Sequence, residues 1–428
     1  MTFITRGKKL SGMGTNRIFR QGLALAMITA LLAFLAPAGV ARAAGQKEWA
    51  EPDGSSYPQP PSADSFYTPP NPIPNVPPGT ILRSRPVTVR GLGLPMPVRT
   101  YQVLYRSTDT QGRPNAVSGT VGVSDDGKPD SGRPLVAYNI GTHGMGPLCA
   151  PSYLLRLGFD PEEALMASVI ARGWAVVITD YEGLGTPGPH TYASGPATGH
   201  AVLDGARAAL HLPELGLNPA TPTAIWGYSE GGLASTWAAE LAASYAPDLH
   251  LVGIAAGGIP VNLEHVARGL DGGPGSGLLL AAAVGLNRAY PQLRLDQILN
   301  ARGKEAAAEV ASECVGQIAS TYAFKRLADY SRVPDPLGLP AVRAVLAANL
   351  LGRRTPTAPM HIYEATNDEL IPLKDVQALV ANYCRHGLAV DYREYTSGEH
   401  VFVAGSGAFA ALDWIAARFA GTAAPSTC

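Results

Sequence analysis

Ala224-Ile225-Trp226-Gly227-Tyr228-Ser229-Glu230-Gly231-Gly232 is the stretch on which the reading of this chain turns. Its first part is apolar, as a buried parallel strand is. It then runs through G-x-S-x-G into Leu233-Ala234-Ser235-Thr236-Trp237-Ala238-Ala239-Glu240-Leu241, which is good helix material with no proline before Pro247. Strand, G-x-S-x-G and helix together describe a nucleophile elbow. Side chains two positions either side of the serine would collide in so tight a turn, and glycine at 227 and 231 removes them. The strained turn aims the Ser229 hydroxyl outward, and the helix N-terminus behind it favours developing negative charge. In a chain with 48 glycines the pentapeptide alone arises easily by chance, so the surrounding sequence has to supply the rest of a site.

An elbow makes specific demands on that surrounding sequence. The acid and the histidine follow the serine in chain order, each just past the carboxyl end of a strand. Past a strand over 360–364 comes Ala365-Thr366-Asn367-Asp368-Glu369, which puts Asp368 where the acid belongs, with Glu369 and Glu364 as competitors. Past a strand over 390–395 comes Ser397-Gly398-Glu399-His400, and His400 is the last histidine of the chain. His386 follows a helix and His361 starts a strand, so neither fits the pattern as well. Asp180 also follows a strand, but one that precedes the elbow. It reads as an organiser of the loop Tyr181-Glu182-Gly183-Leu184-Gly185. An oxyanion hole needs two backbone N–H donors. Glu230, next to the nucleophile, supplies one. The Gly-rich loop Gly141-Thr142-His143-Gly144-Met145-Gly146 supplies the other, from within 142–144. The spacing in that loop is not a dinucleotide fingerprint, and His143 reads as loop geometry rather than as an extra acid–base group. No metal-ligand spacing appears, and no cofactor is called for.

The fold expected around this site is α/β, a mostly parallel sheet with helices on both faces. Strands read over 87–92, 98–105, 116–123, 134–140, 174–179, 222–226, 251–256, 360–364 and 390–395, and helices over 161–172, 200–210, 374–383 and 408–419. Early strands followed by strand–helix alternation fit an open sheet. Between the strand at 251–256 and the strand at 360 lie about a hundred Leu/Ala-rich residues, far more than a connection needs. Their apolar periodicity requires a partner surface, so they read as a helical cap inserted into the sheet domain. The divisions expected are a leader over 1–43, a Pro-rich extension over 44–80, the sheet domain over 81–258 and 357–428, and the cap over 259–356.

The leader follows from Arg17 and Arg20, an apolar run over 23–35 and the small-residue site Ala41-Arg42-Ala43, with cleavage after Ala43. That run is short for a membrane span. With no adjacent Arg-Arg pair, the general secretory route is expected over the twin-arginine one. Export puts Cys149, Cys314, Cys384 and Cys428 in an oxidising setting, where four cysteines allow three pairings. A net charge of −1 gives no reason to expect nucleic acid as a partner. Nothing implies a partner protein, and the sequence leaves open whether the exported chain is free or held at the cell envelope.

At this point the residues resemble a known family. Asp64-Ser65-Phe66-Tyr67-Thr68-Pro69-Pro70, Pro78-Gly79-Thr80-Ile81-Leu82-Arg83, Cys149-Ala150-Pro151-Ser152, Asp180-Tyr181-Glu182-Gly183-Leu184-Gly185, the elbow, Asn367-Asp368 and Gly398-Glu399-His400 are similar, in order, to stretches of the secretory lipases. These are α/β-hydrolases that include Candida-type lipase A and many secreted actinobacterial lipases. The resemblance implies hydrolysis of acylglycerols and other esters by Ser229, Asp368 and His400 beneath a helical lid. It implies pairing of Cys149 with Cys314 and of Cys384 with Cys428. It also puts the second oxyanion donor a few residues ahead of Cys149-Ala150-Pro151-Ser152, a short loop past the strand over 134–140, at His143 or Gly144. The readings left beside it are a carboxylesterase for short acyl chains, a peptidase that would use Glu230 to hold a substrate amine, and an acyltransferase.

Overall fold

Short, mostly apolar strands are best satisfied in the middle of a sheet covered on both faces, and three such strands form the centre of this one. The computed structural model describes residues 57–428. The leader over 1–43 and its cleavage site lie outside the described residues. The nine-stranded sheet is built from β1 (Ile81–Val87), β2 (Val98–Thr108), β3 (Pro114–Ser124), β4 (Leu135–Asn139), β5 (Ala175–Thr179), β6 (Thr223–Tyr228), β7 (Leu251–Gly257), β8 (Met360–Ala365) and β9 (Val390–Tyr395). Its order is β1-β2-β3-β5-β4-β6-β7-β8-β9. The first three strands join antiparallel, and every pairing from β5 to β9 is parallel. Every residue of β4, β5 and β6 is buried. Ala137, at the centre of β4, sits in register with Val177 on one side and Ile225 on the other.

Helices pack on both faces. They are α1 (Pro151–Leu157), α2 (Glu163–Ile170), α3 (Gly195–Leu210), α4 (Glu230–Tyr245) and, past the cap, α12 (Leu373–Arg385), α13 (His400–Ser406) and α14 (Ala408–Phe419). Between β7 and β8 the chain leaves the sheet and folds into α5 (Leu263–Leu270), α6 (Gly277–Ala289), α7 (Leu295–Ile298), α8 (Ala301–Val310), α9 (Val315–Tyr322), α10 (Leu327–Tyr330) and α11 (Pro340–Ala348). These helices carry apolar clusters of their own, such as Leu280, Val310, Ile318 and Tyr330, and Met145 from the Gly-rich loop joins that cluster.

Two local expectations need correcting. The strand expected over 87–92 is instead β1, Ile81–Val87, whose Ile-Leu-Arg-Ser-Arg-Pro-Val sequence does not alternate like a half-buried strand. Its arginines have another task. Arg83 donates to the carbonyls of Ser65 and Phe66 at 3.0 and 3.2 Å, and Arg85 pairs with Asp64, so β1 staples the N-terminal extension down. The residues beyond β1 turn instead of extending. Leu92 and Gly93 both have positive φ (49° and 77°), the two-residue hairpin geometry, and Arg90 and Gly91 pair with Pro95 and Leu94. The second correction concerns Cys149-Ala150-Pro151-Ser152, expected as a loop. It crosses into α1, with Pro151 in the first turn, where a proline's missing N–H costs nothing. Phe66 and Tyr67 of the extension are buried beside Leu104 and Ala116.

Candidate active site

Ser229 stands between β6 and α4 with φ 60° and ψ −119°, a conformation a side-chain-bearing residue holds only when its surroundings force it. The flanking glycines are obligatory. A Cβ on Gly227 would lie 2.5 Å from the Gly231 carbonyl oxygen, and one on Gly231 would lie 2.0 Å from that of Asn139. The Ser229 N–H donates to Gly257 O at 3.0 Å, which ties the turn to the end of β7.

Two loops at the carboxyl ends of β8 and β9 bring their side chains to this serine. His400 Nε2 lies 2.9 Å from Ser229 Oγ, and His400 Nδ1 lies 2.6 Å from Asp368 Oδ2. Asp368 also accepts from the N–H groups of Leu370 and Ile371 at 2.9 and 2.7 Å through its other oxygen. Burial opposes ionisation of Asp368, but the hydrogen bond and charge of His400 outweigh it and hold the carboxyl below its usual range. An ionised Asp368 fixes the proton on Nδ1 and leaves Nε2 as an acceptor facing the Ser229 hydroxyl.

The competing acids have other places. Glu369 accepts the His400 N–H at 3.1 Å, and Glu399 caps α13 by accepting from Val401 and Phe402 at 2.7 and 3.2 Å. Glu364 is wholly buried, and burial together with the adjacent Asp368 carboxylate raises it well above the carboxylate range, so it stands as a neutral acid. The competing histidines are engaged elsewhere: His361 Nδ1 lies 2.9 Å from Asp391, and His386 Nδ1 lies 2.8 Å from the Asn382 carbonyl. Asp180 accepts from Ser118 Oγ and Ser152 N at 2.6 and 2.8 Å, which anchors α1 to the sheet.

The Gly-rich loop is held at several points. The Gly141 N–H donates to Glu162 at 2.9 Å. The buried His143 ring spans the Gly141 carbonyl (3.0 Å) and Asp160 (3.3 Å). Burial would lower this imidazole, but the Asp160 carboxylate prevails and raises it to about 9. Gly144 bridges Cys314 of the cap, Met145 N–H donates to Glu313 O at 2.9 Å, and Val315 N–H donates to His143 O at 2.8 Å. The Cys149–Cys314 disulfide closes beside this bridge, and Cys384–Cys428 joins the end of α12 to the C-terminus. Within 142–144, the Thr142 hydroxyl donates to the hydroxyl of Tyr192, which lines the Ser229 chamber, at 3.0 Å. Glu230, whose N–H begins α4, has its carboxylate 2.6 Å from His190 Nε2. No motif in the sequence marked His190, Tyr192 or Glu162, and Glu364 was marked only as a competitor for the acid.

Ser229 and Glu230 open into a cavity that runs beneath the cap. Its walls are almost wholly apolar, drawn from α5, α6 and α11 (Leu263, Leu279, Leu286 and Leu346 among them) and from Leu233 of α4. Among the described residues no cluster of three His, Cys, Asp or Glu side chains could hold a metal ion.

Comparison with known proteins identifies the family and the fold. A family model described as Secretory lipase matches residues 150–427. The chain belongs to the secretory lipase family. Among other members, a secreted triacylglycerol lipase of Malassezia restricta is 32% identical over 361 residues, covering 80% of this chain and 76% of that one. A protein of Mycobacterium tuberculosis described as a probable inactive lipase is 37% identical over 374 residues, 84% of this chain and 83% of that one. Among solved structures, Candida antarctica lipase A in its closed state superposes with a TM-score of 0.80 at 28% identity, covering 87% of this chain and 89% of that one. This secretory lipase therefore has the α/β-hydrolase fold.

Proposed function

We propose that this secretory lipase is an exported triacylglycerol lipase that hydrolyses acylglycerols through an acyl-enzyme on Ser229. The observation that carries the reading is the unbroken Ser229–His400–Asp368 hydrogen-bond chain at the mouth of an apolar cavity. His400 takes the Ser229 proton as the hydroxyl attacks the ester carbonyl, and Asp368 stabilises the imidazolium that forms. The Glu230 N–H and an N–H from 142–144, at His143 or Gly144, hold the oxyanion. The proton then passes to the departing alcohol, and water activated by His400 releases the fatty acid. The helices over 259–356 act as the lid, and their apolar face takes the acyl chain. No step calls for a metal, a cofactor or a partner protein.

The same observation bears on the relative described as inactive, because in this chain serine, imidazole and carboxylate stand in contact. The peptidase reading loses its support: the Glu230 carboxylate that would hold a substrate amine is already paired with His190. The test is a series of p-nitrophenyl esters of rising acyl length, with emulsified triglyceride, on the purified exported chain. Turnover that persists to long chains and disappears in Ser229→Ala supports a lipase. A profile that collapses beyond short chains makes it a carboxylesterase, and turnover retained in Ser229→Ala overturns the site.

A further inference from the structure

An acidic residue directly after the nucleophile is a poor neighbour for an oxyanion. The Glu230 N–H is placed to stabilise negative charge, while its own carboxylate, buried in the same chamber, would repel it. His190 resolves this conflict. Both side chains are almost fully buried, and Nε2 meets Oε1 at 2.6 Å. His190 Nδ1 lies 3.0 Å from the Glu182 carbonyl, an oxygen that can only accept, so Nδ1 carries a proton. A second proton must lie between Nε2 and Oε1. Whether it sits on the imidazole or on the carboxyl, the pair has zero net charge. The ring is fixed by Tyr181, stacked on it at 5.6 Å with planes 8° apart, and the Tyr181 hydroxyl donates to the Ile140 carbonyl at the start of the Gly-rich loop. Burial raises the phenols of Tyr181 and Tyr192, and the Glu230 carboxylate raises both further. Tyr192 is the residue that holds Thr142.

Resting on the reading of Ser229 as an ester-hydrolysing nucleophile, we propose that His190 is a positioning and charge-compensating residue for the oxyanion hole. It neutralises the Glu230 carboxylate and fixes the first residue of α4, so that the N–H of Glu230 meets the oxyanion without an opposing charge beside it. Its effect belongs to the transition state, because the ground-state ester carries no charge there.

The experiment compares wild type, Ser229→Ala, His190→Ala and the double variant His190→Ala/Glu230→Gln on one p-nitrophenyl ester, with kcat and KM separated and folding followed by circular dichroism. His190→Ala is expected to lower kcat by about a hundredfold, the scale of a damaged oxyanion hole, with KM within about twofold. Removing the stranded charge in the double variant is expected to restore about tenfold or more of that loss. A purely structural role for His190 predicts that the double variant is no better than the single one, and that result overturns the proposal, as does an unchanged kcat in His190→Ala. If His190→Ala does not fold, His190→Gln with and without Glu230→Gln makes the same comparison, because its amide still reaches Glu230 without bringing a charge. A wild type inactive on every ester overturns the underlying lipase reading instead, and a wild type active only through Ser229 leaves the His190 comparison to decide alone.

Discussion

The cavity above Ser229 has two walls made of different materials. On the sheet side the polar groups around the serine hold one another: Asp368 is held by two backbone N–H groups, the His400 backbone by Glu369, Glu230 by His190 and the Gly141 N–H by Glu162. On the cap side the wall is Leu, Val and Ala on short helices. Hydrogen bonds have direction and tolerate little displacement, whereas apolar packing accepts exchanges of similar volume. The sheet side therefore sets which reaction can occur, and the cap side sets what can be brought to it. Substitutions on the first wall should fall on kcat regardless of the ester, and those on the second should change the ranking of esters.

The strongest way to break this division is at the acid. Asp368→Asn keeps the shape of the side chain but allows the wrong imidazole tautomer, so kcat should fall by about 10⁴ for every acyl length. A loss confined to long esters would show that the two walls are not separate. Next comes the joint between them. Cys314→Ser should lower unfolding stability by about 2–4 kcal/mol in a denaturant titration. It should also lower activity, because the cap then meets the Gly-rich loop without a covalent tie, through backbone hydrogen bonds and the packing of Met145.

Within the cap, Ala283→Phe narrows the apolar wall. Turnover of long esters should drop relative to short ones by about 10–200-fold, the scale of one misfitted group in an apolar pocket. A uniform loss across the series would place Ala283 in the chemistry instead. The smallest effect concerns pH. His143 titrates at about 9 in the folded chain, above the unfolded value near 6.5. Its ion pair with Asp160 is therefore fully stabilising below about 6.5 and lost as pH climbs through about 9. Thermal melts should decline across that window, and His143→Gln should flatten the decline.

The elements legible in the sequence were those with one dominant cause. The apolar runs became β4 to β8, the Gly-flanked serine became a strained turn, and Asp368 and His400 lie where strand ends put them. The order of strands and loops was enough, because in a parallel sheet all such ends face the same way. What escaped notice has several causes at once. β1 was hidden because its arginines serve the extension rather than the core. Glu162 and His190 were hidden because a buried polar residue has no periodic signature, and its partner is distant in the chain: His190 lies 40 residues from Glu230. Which amide in 142–144 serves the oxyanion depends on how the cap clasps the loop, and no local sequence encodes that.

The clasp between Gly144, Cys149 and Cys314 has a consequence for exchange between relatives. A lid is usually treated as a module that can be cut at its two ends and transplanted. Here one strand of backbone in the lid is paired with the loop that borders the nucleophile, and a disulfide closes the join. A graft that brings in foreign helices but keeps the host's 141–149 pairs two edges that were never fitted to each other. The transferable unit in this protein is discontinuous: the lid together with those nine residues, though they lie far upstream in the chain.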